Sequence, residues 1–355
     1  NQLDEKLVHA YNLIDIKDNA IVVNRLPLML EGQVAMLSSG FADADEVHEL
    51  LHALRASALY RNDQQSYMLY PEKQLPAFTE KNCIPETFNK RFPVLNKLLE
   101  GGGYGLISAD QAGTMHFTGE LKNAGVLKER ITALREQRRI QIDKREEQQL
   151  LDLYEELFDH HSFTGRSGSF YKYEGLGSIY WHMVSKLLLA VAENIQRFVR
   201  EGLPGEKTDK LLSLYMEIRE GIGVHKAPSA YGAIPTDPYS HTPSMLGAQQ
   251  PGMTGQVKED IISRWFELGL EIRQGAILIH RSIITNRHLK IRGELSFTFC
   301  GTPFRYVEGP ASGISLLLTD GEELSISSDR IEAPYSGEIF ARTGKVRKVT
   351  VAFIA

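Results

Sequence analysis

A chain of 355 residues, 42% of them hydrophobic, is long enough for one large domain or two smaller ones with a substantial core. Its net charge of −5 comes without a clustered basic surplus, which excludes the electrostatic footprint of a DNA- or RNA-binding domain. Two cysteines, Cys83 and Cys300, set up neither a disulfide framework nor a Cys-based metal site, and no apolar run is long enough to span a bilayer.

Helical periodicity dominates the first three quarters. Leu3, Leu7, Val8 and Tyr11 form one stripe, and Leu26, Leu30, Val34 and Leu37 another, with Pro27 suited to a first turn. Val47, Leu50, Leu51 and Leu54 follow an acidic helix start at Asp43 and Asp45. Further helices are predicted at about 84–99, 121–136, 140–160, 178–200, 206–221 and 256–269, with 101–105 as a glycine-rich turn heading a hairpin through Met115 and Phe117. The basic run 128–145 is interleaved with Glu129, Glu136 and Asp143 and reads as a solvated helix face. From Ala276 short β-type runs take over, at 276–280, 295–300, 314–318, 338–341 and 346–353, separated by turns such as Asp320-Gly321. The expected class is mainly α with a C-terminal β module: a helical domain over 1–272 and a small sandwich or sheet over 273–355.

Two loops carry binding chemistry. Residues 164–186 combine glycines with Phe170, Tyr171, Tyr173, Tyr180 and Trp181 beside Arg166, Lys172 and Glu174, a mixture of flat faces and charged groups that suits a sugar. Residues 225–255 show little periodicity, yet Tyr231, Tyr239 and His241 with interleaved apolar residues argue for an ordered loop. His182 follows Gly175, Gly177 and Ser178 near a helix start, where backbone N–H groups favour an anion, and Thr254-Gly255 precede a second helix start of the same design. His48-Glu49-Leu50-Leu51-His52 has the spacing of a zinc-peptidase helix, but no third ligand follows at a recognised distance, so it reads as an ordinary surface helix and no metal is assigned. His160-His161 fits the negative end of a helix.

At these two helix starts the chain resembles the cellobiose-phosphorylase-like proteins, glycoside hydrolase family 94 and related β-glucan phosphorylases. Gly177-Ser178-Ile179-Tyr180-Trp181-His182 is similar to the family's helix-opening segment, whose His contacts phosphate, and Thr254-Gly255 looks like its phosphate-binding Thr-Gly pair. The segment 266–272 resembles the passage from that second helix into β structure, and the likeness covers mainly 164–300. It implies an (α/α) barrel of the six-hairpin glycosidase type, incomplete here because eight or nine helices fall short of twelve. It also implies inverting phosphorolysis of β-linked gluco-oligosaccharides, with inorganic phosphate as co-substrate and no other cofactor. His182, Thr254 and Gly255 would bind phosphate; Arg166, Glu174, Tyr180, Trp181, Tyr239, His241 and Gln250 would line the sugar site. The family's general acid lies in a Trp-Asn-Asp context that this chain lacks; Asp15, in Asn12-Leu13-Ile14-Asp15, is the nearest analogue by position, and Glu174 is the other catalytic candidate. Because the chain starts at Asn1 rather than Met, the reading is of the C-terminal portion of a larger protein, its expected partners being oligosaccharide, phosphate, and the upstream half or a second copy, with no nucleic acid or membrane. With no signal-peptide pattern at its start the expected location is the cytoplasm, unless a targeting segment preceded Asn1. The competing expectations are a non-catalytic glycan-binding or interaction module, a hydrolase of the same barrel type, and a zinc hydrolase built on His48 and His52.

Overall fold

The structure, a computed structural model, describes residues 6–10, 12–17, 20–25, 28–72, 76–159, 176–203, 205–244, 246–252, 256–282, 289 and 291–354. The chain forms two compact units. One comprises Asn1–Tyr67, Tyr180–Thr242 and Gly247–Ala355; the other, Met68–Ile179 with Pro243–Leu246, is inserted into it.

The first unit opens with an antiparallel hairpin, β1 (Asn12–Lys17) and β2 (Ala20–Arg25), in register from Asn12↔Arg25 to Lys17↔Ala20. A helical stripe through Leu3, Leu7, Val8 and Tyr11 was the expectation ahead of it; the described part of that segment, 6–10, is not helical and has β-bridges at Val8 and His9. The side-chain amide of fully buried Gln33 accepts from the Val8 N–H at 3.0 Å and donates to the Val8 carbonyl at 2.6 Å, imitating a strand partner for that residue. The alternating Ile and Val residues of β1 and β2 favour the pleated state. Helix α1 (Leu30–Ser38) then begins three residues beyond Pro27. Helix α2 (Ala44–Ala56) starts where its acidic residues predict: Asp43 caps the N–H groups of Asp45 and Glu46, and Glu46 returns a bond to the Asp43 N–H. It buries the predicted stripe Val47, Leu50, Leu51 and Leu54, and β3 (Tyr60–Arg61) and β4 (Ser66–Tyr67) follow as a short hairpin.

The inserted unit contains α3 (Phe78–Lys81), α4 (Phe88–Arg91) and α5 (Val94–Glu100), then the hairpin of β5 (Ile107–Ala109) and β6 (Met115–Phe117), then α6 (Ala124–Glu136) and α7 (Lys144–Phe158). The single helix expected at 84–99 is split at Phe92, which Pro93 holds out of the helical region at φ −126°, ψ 75°. Leu95, Leu127, Ile131, Leu150 and Leu153, each fully buried, centre a core of its own. Entry and exit run side by side, since the Leu69 N–H donates to the Ser178 carbonyl at 2.9 Å.

After β7 (Ile179–Tyr180), helix α8 (Trp181–Arg200) returns the chain to the first unit. It is followed by α9 (Gly205–Glu220), the short α10 (Pro228–Tyr231), the hairpin β8 (Tyr239–Thr242) and β9 (Gln249–Pro251), and α11 (Gln256–Glu267). Helix α8 packs on α1, α9 and α11, so it is buried on several faces, through Val184, Leu187, Leu188, Val191 and Ile195 among others. Asn194 ties it to α1 by donating to the Leu37 carbonyl at 2.8 Å. Helices on both sides of the insertion therefore build one body.

Strands β10 (Leu270–Arg273) and β11 (Ala276–Ile279) form a hairpin that β16 (Arg330–Ile331) extends. Strands β12 (Glu294–Phe299), β13 (Thr302–Gly309), β14 (Gly313–Leu318), β15 (Glu323–Ile326) and β17 (Val346–Ile354) make a five-stranded sheet in the order β12-β13-β17-β14-β15, with β13 and β17 parallel. The strand expected at 338–341 is instead the end of α12 (Tyr335–Phe340), whose buried positions Ser336 and Ile339 are one helical turn apart. Strands β1 to β9 all precede residue 273, so β structure is not confined to the C-terminal module. Among the described residues no helix is long and apolar enough to cross a membrane.

Candidate functional site

The start of α8 carries three of the candidates, Tyr180, Trp181 and His182. Trp181 is the first helical residue and His182 the second; the cap, Tyr180, makes no side-chain cap bond, leaving the first N–H groups of α8 without a side-chain acceptor there. The Tyr180 ring stacks on His241 of β8, centroids 4.9 Å apart and planes within 16°. Its hydroxyl lies 3.4 Å from His182 Nδ1.

The other edge of His182 faces α11. His182 Nε2 stands 3.4 Å from Glu259 Oε2, and neither atom has a hydrogen-bond partner among the described residues although both are buried. Burial would push the Glu259 carboxyl up, but the hydrogen bond from its own backbone N–H, the Lys258 ammonium 3.2 Å from Oε1, and His182 together hold it below the ordinary carboxylate range. The first turns of α8 and α11 thus meet, through a carboxylate that stays ionised. Thr254 and Gly255, immediately ahead of α11 in sequence, lie outside the described residues, as do Arg166 and Glu174 and the pair His160-His161. Asp15 is in β1, and its side chain also falls outside them.

Trp181 is 3% exposed. Its indole N–H donates to Thr242 Oγ1 at 2.8 Å, its ring meets the edge of Tyr231, and the Lys226 ammonium lies 4.9 Å from its centroid. Burial pulls Lys226 down to about 8, while its ammonium donates to the Gln64 backbone carbonyl. Tyr239 packs edge-on against Tyr231. Gln250, exposed in β9, has φ +57°, the left-handed region that a non-glycine residue adopts at a cost of about 1–3 kcal/mol.

The described part of the long loop at 225–252 is ordered by specific contacts. Arg61 donates to the Thr242 carbonyl and Gln64 to the Ala230 carbonyl, each at 2.8 Å. Gly232 and Gly247 touch backbone to backbone: a Cβ on Gly247 would lie 2.6 Å from the Gly232 carbonyl oxygen, so only glycine lets the two segments cross.

Beside this corner a cavity of about 600 Å³ opens between α8, the loop and α11, lined by Trp181, Tyr231, His225, Asp237, Arg219 and Arg264 among others. The two arginines are anchored by buried Glu267, which accepts from Arg219 Nε at 2.5 Å, Arg264 Nη1 at 2.6 Å and the Tyr215 hydroxyl at 3.0 Å. Sequence reasoning missed Glu259 and Glu267. An acidic residue in the first turn of a helix has an ordinary explanation in the helix dipole, and nothing in the sequence showed that Glu259 would be buried against His182.

Residues 75–161 match the model of GH149 phosphorylase insertion domain 2. They fall wholly within the inserted unit, so a segment described as an insertion domain is, in this chain, the one that interrupts another compact body. The match relates the chain to glycoside phosphorylases without singling out glycoside hydrolase family 94. No curated protein matches the chain.

Proposed function

We propose that the chain is part of an inverting phosphorylase acting on β-linked gluco-oligosaccharides, and that inorganic phosphate binds where α8 and α11 begin. The observation that carries the reading is the convergence of His182 with the first turn of α11, in a chain whose inserted unit matches a phosphorylase insertion domain. Helices α1, α2, α8, α9 and α11 would then belong to an (α/α) barrel, and Tyr180, His241, Tyr239 and Gln250 would line the sugar side of the phosphate.

Inverting phosphorolysis needs one protein acid. A phosphate oxygen attacks the anomeric carbon, a new C–O bond forms, and the glycosidic C–O bond breaks as the acid protonates the departing oxygen; phosphate replaces the base-activated water of an inverting hydrolase. The protein must hold the phosphate against the anomeric face by His, hydroxyl and amide donors, the roles of His182, Thr254 and Gly255 in this reading. Glu259 is held ionised and is unsuited to be the acid; Lys258 offsets its charge, so an anion at His182 does not meet an unbalanced carboxylate. The acid itself, for which Asp15 and Glu174 are the candidates, has no described side chain to support it.

Incubating the chain with β-linked gluco-oligosaccharides, with and without phosphate, tests the reaction class. The expected result is that the chain alone forms neither glucose 1-phosphate nor reducing sugar, because a general acid contributes about 10²–10⁴ in rate. Phosphate-dependent glucose 1-phosphate that disappears in His182→Ala would show a chain competent by itself. Phosphate-independent reducing sugar would replace the phosphorylase with a hydrolase.

A further inference from the structure

Two histidines of α2 have no part in the phosphorylase reading. His48 and His52 are four residues apart, so they leave the same face of the helix one turn from each other. Their Nε2 atoms are 3.2 Å apart, with ring centroids separated by 4.4 Å and planes inclined at 60°. His48 is half-buried and His52 exposed.

The pattern His-Glu-Leu-Leu-His is not a peptidase centre here. That chemistry needs a third protein ligand and a glutamate aimed at the metal-bound water. Glu49 instead pairs with Lys6 at 2.6 Å, and no group of three His, Cys, Asp or Glu suited to a metal exists among the described residues. What remains is a two-imidazole pair whose geometry can be judged on its own. Metal–imidazole bonds are about 2.0–2.1 Å long, so two nitrogens 3.2 Å apart subtend about 100° at a shared ion. That lies between the octahedral right angle and the tetrahedral angle, which suits cis ligands of either geometry. A hydrogen bond between the rings gives the same distance with one Nε2 as N–H donor and the other as acceptor, whereas a shared ion takes the lone pairs of both.

The pair is also preorganised. Helix α2 is fixed at its N-terminus by the reciprocal Asp43–Glu46 cap and along its length by buried Val47, Leu50, Leu51 and Leu54. The backbone spacing of the two rings is therefore set before any ion arrives, which lowers the ordering cost of chelation. Neighbouring charge is balanced, because Asp45 is held by Lys207 at 2.7 Å and Glu49 by Lys6.

We propose that His48 and His52 together chelate a borderline divalent transition-metal ion such as Zn²⁺, with water completing the coordination. Imidazole nitrogen prefers such ions, while Mg²⁺ and Ca²⁺ favour oxygen ligands. This site is independent of the phosphate reading and stands or falls separately.

Titrating the full chain with ZnCl₂ by calorimetry, in a non-coordinating buffer, tests it against His48→Ala and His52→Ala. Alanine in a helix interior costs nothing in propensity, and circular dichroism of each variant confirms the fold. One saturable site is expected in the parent chain, weakened by at least about tenfold in both variants alike, and excess Mg²⁺ should not displace the Zn²⁺. No saturable binding, equal binding in parent and variants, loss in only one variant, or displacement by Mg²⁺ would each overturn the proposal.

Discussion

Glu259 Oε2 lies 3.4 Å from His182 Nε2, joining the first turns of α11 and α8 through two buried polar atoms that have no hydrogen-bond partner among the described residues. Leaving a buried polar atom unsatisfied costs about 1–3 kcal/mol, so a corner of this kind invites a third group to complete it. In the proposed function that group is monohydrogen phosphate, an oxygen of which would accept from His182 while its P–OH would donate to Glu259 Oε2.

The ionised state of Glu259 makes a pH prediction. A carboxyl whose folded-state value lies below its unfolded one adds stability above the unfolded value and loses it as pH falls through the folded one. Glu259 is depressed in this sense. Below about pH 4.3, the ordinary Glu value, the thermal midpoint of the parent chain should therefore fall more steeply than that of Glu259→Gln. Parallel curves for the two proteins would show that the contact does not depend on this charge.

Glu267 anchors two arginines and a tyrosine with its side chain only 6% exposed. Removing one partner of a buried ionic network leaves the others uncompensated, at a cost of about 3–5 kcal/mol. Glu267→Ala should lower the urea midpoint accordingly, and a change below about 1 kcal/mol would place the arginines' charge in solvent instead.

Gly247 should be intolerant of even one methyl group. Its Cβ would meet the Gly232 carbonyl oxygen at 2.6 Å and Cα at 2.8 Å, both backbone atoms that cannot swing aside. Gly247→Ala should destabilise by about 1–3 kcal/mol in chemical denaturation and raise proteolytic cleavage within 225–252. Unchanged cleavage would mean that the two segments separate without consequence.

Much of the helical frame was legible because local chemistry and packing agree. Asp43 announces α2, its stripe Val47, Leu50, Leu51 and Leu54 is the buried one, and α8 lies close to the predicted 178–200. The non-helical state of Val8 was not legible, because it depends on the amide of Gln33, twenty-five residues away. Helix α12 was mistaken for a strand because six residues cannot distinguish the two periods well. The inserted unit escaped notice since each of its helices looks like any other; what marks it is a closed core and adjoining ends, both long-range properties. At the site, His182, Tyr180 and His241 were visible as chemistry in aromatic loops. Glu259 was not, because its burial comes from the packing of α11 on α8.

The most direct measurement of the central claim is calorimetric titration of inorganic phosphate into the chain and into His182→Ala, with circular dichroism confirming that both are folded. Saturable binding to the parent chain, lost in the variant, is expected. Absence of binding to the parent chain, or equal affinity in both proteins, would contradict it.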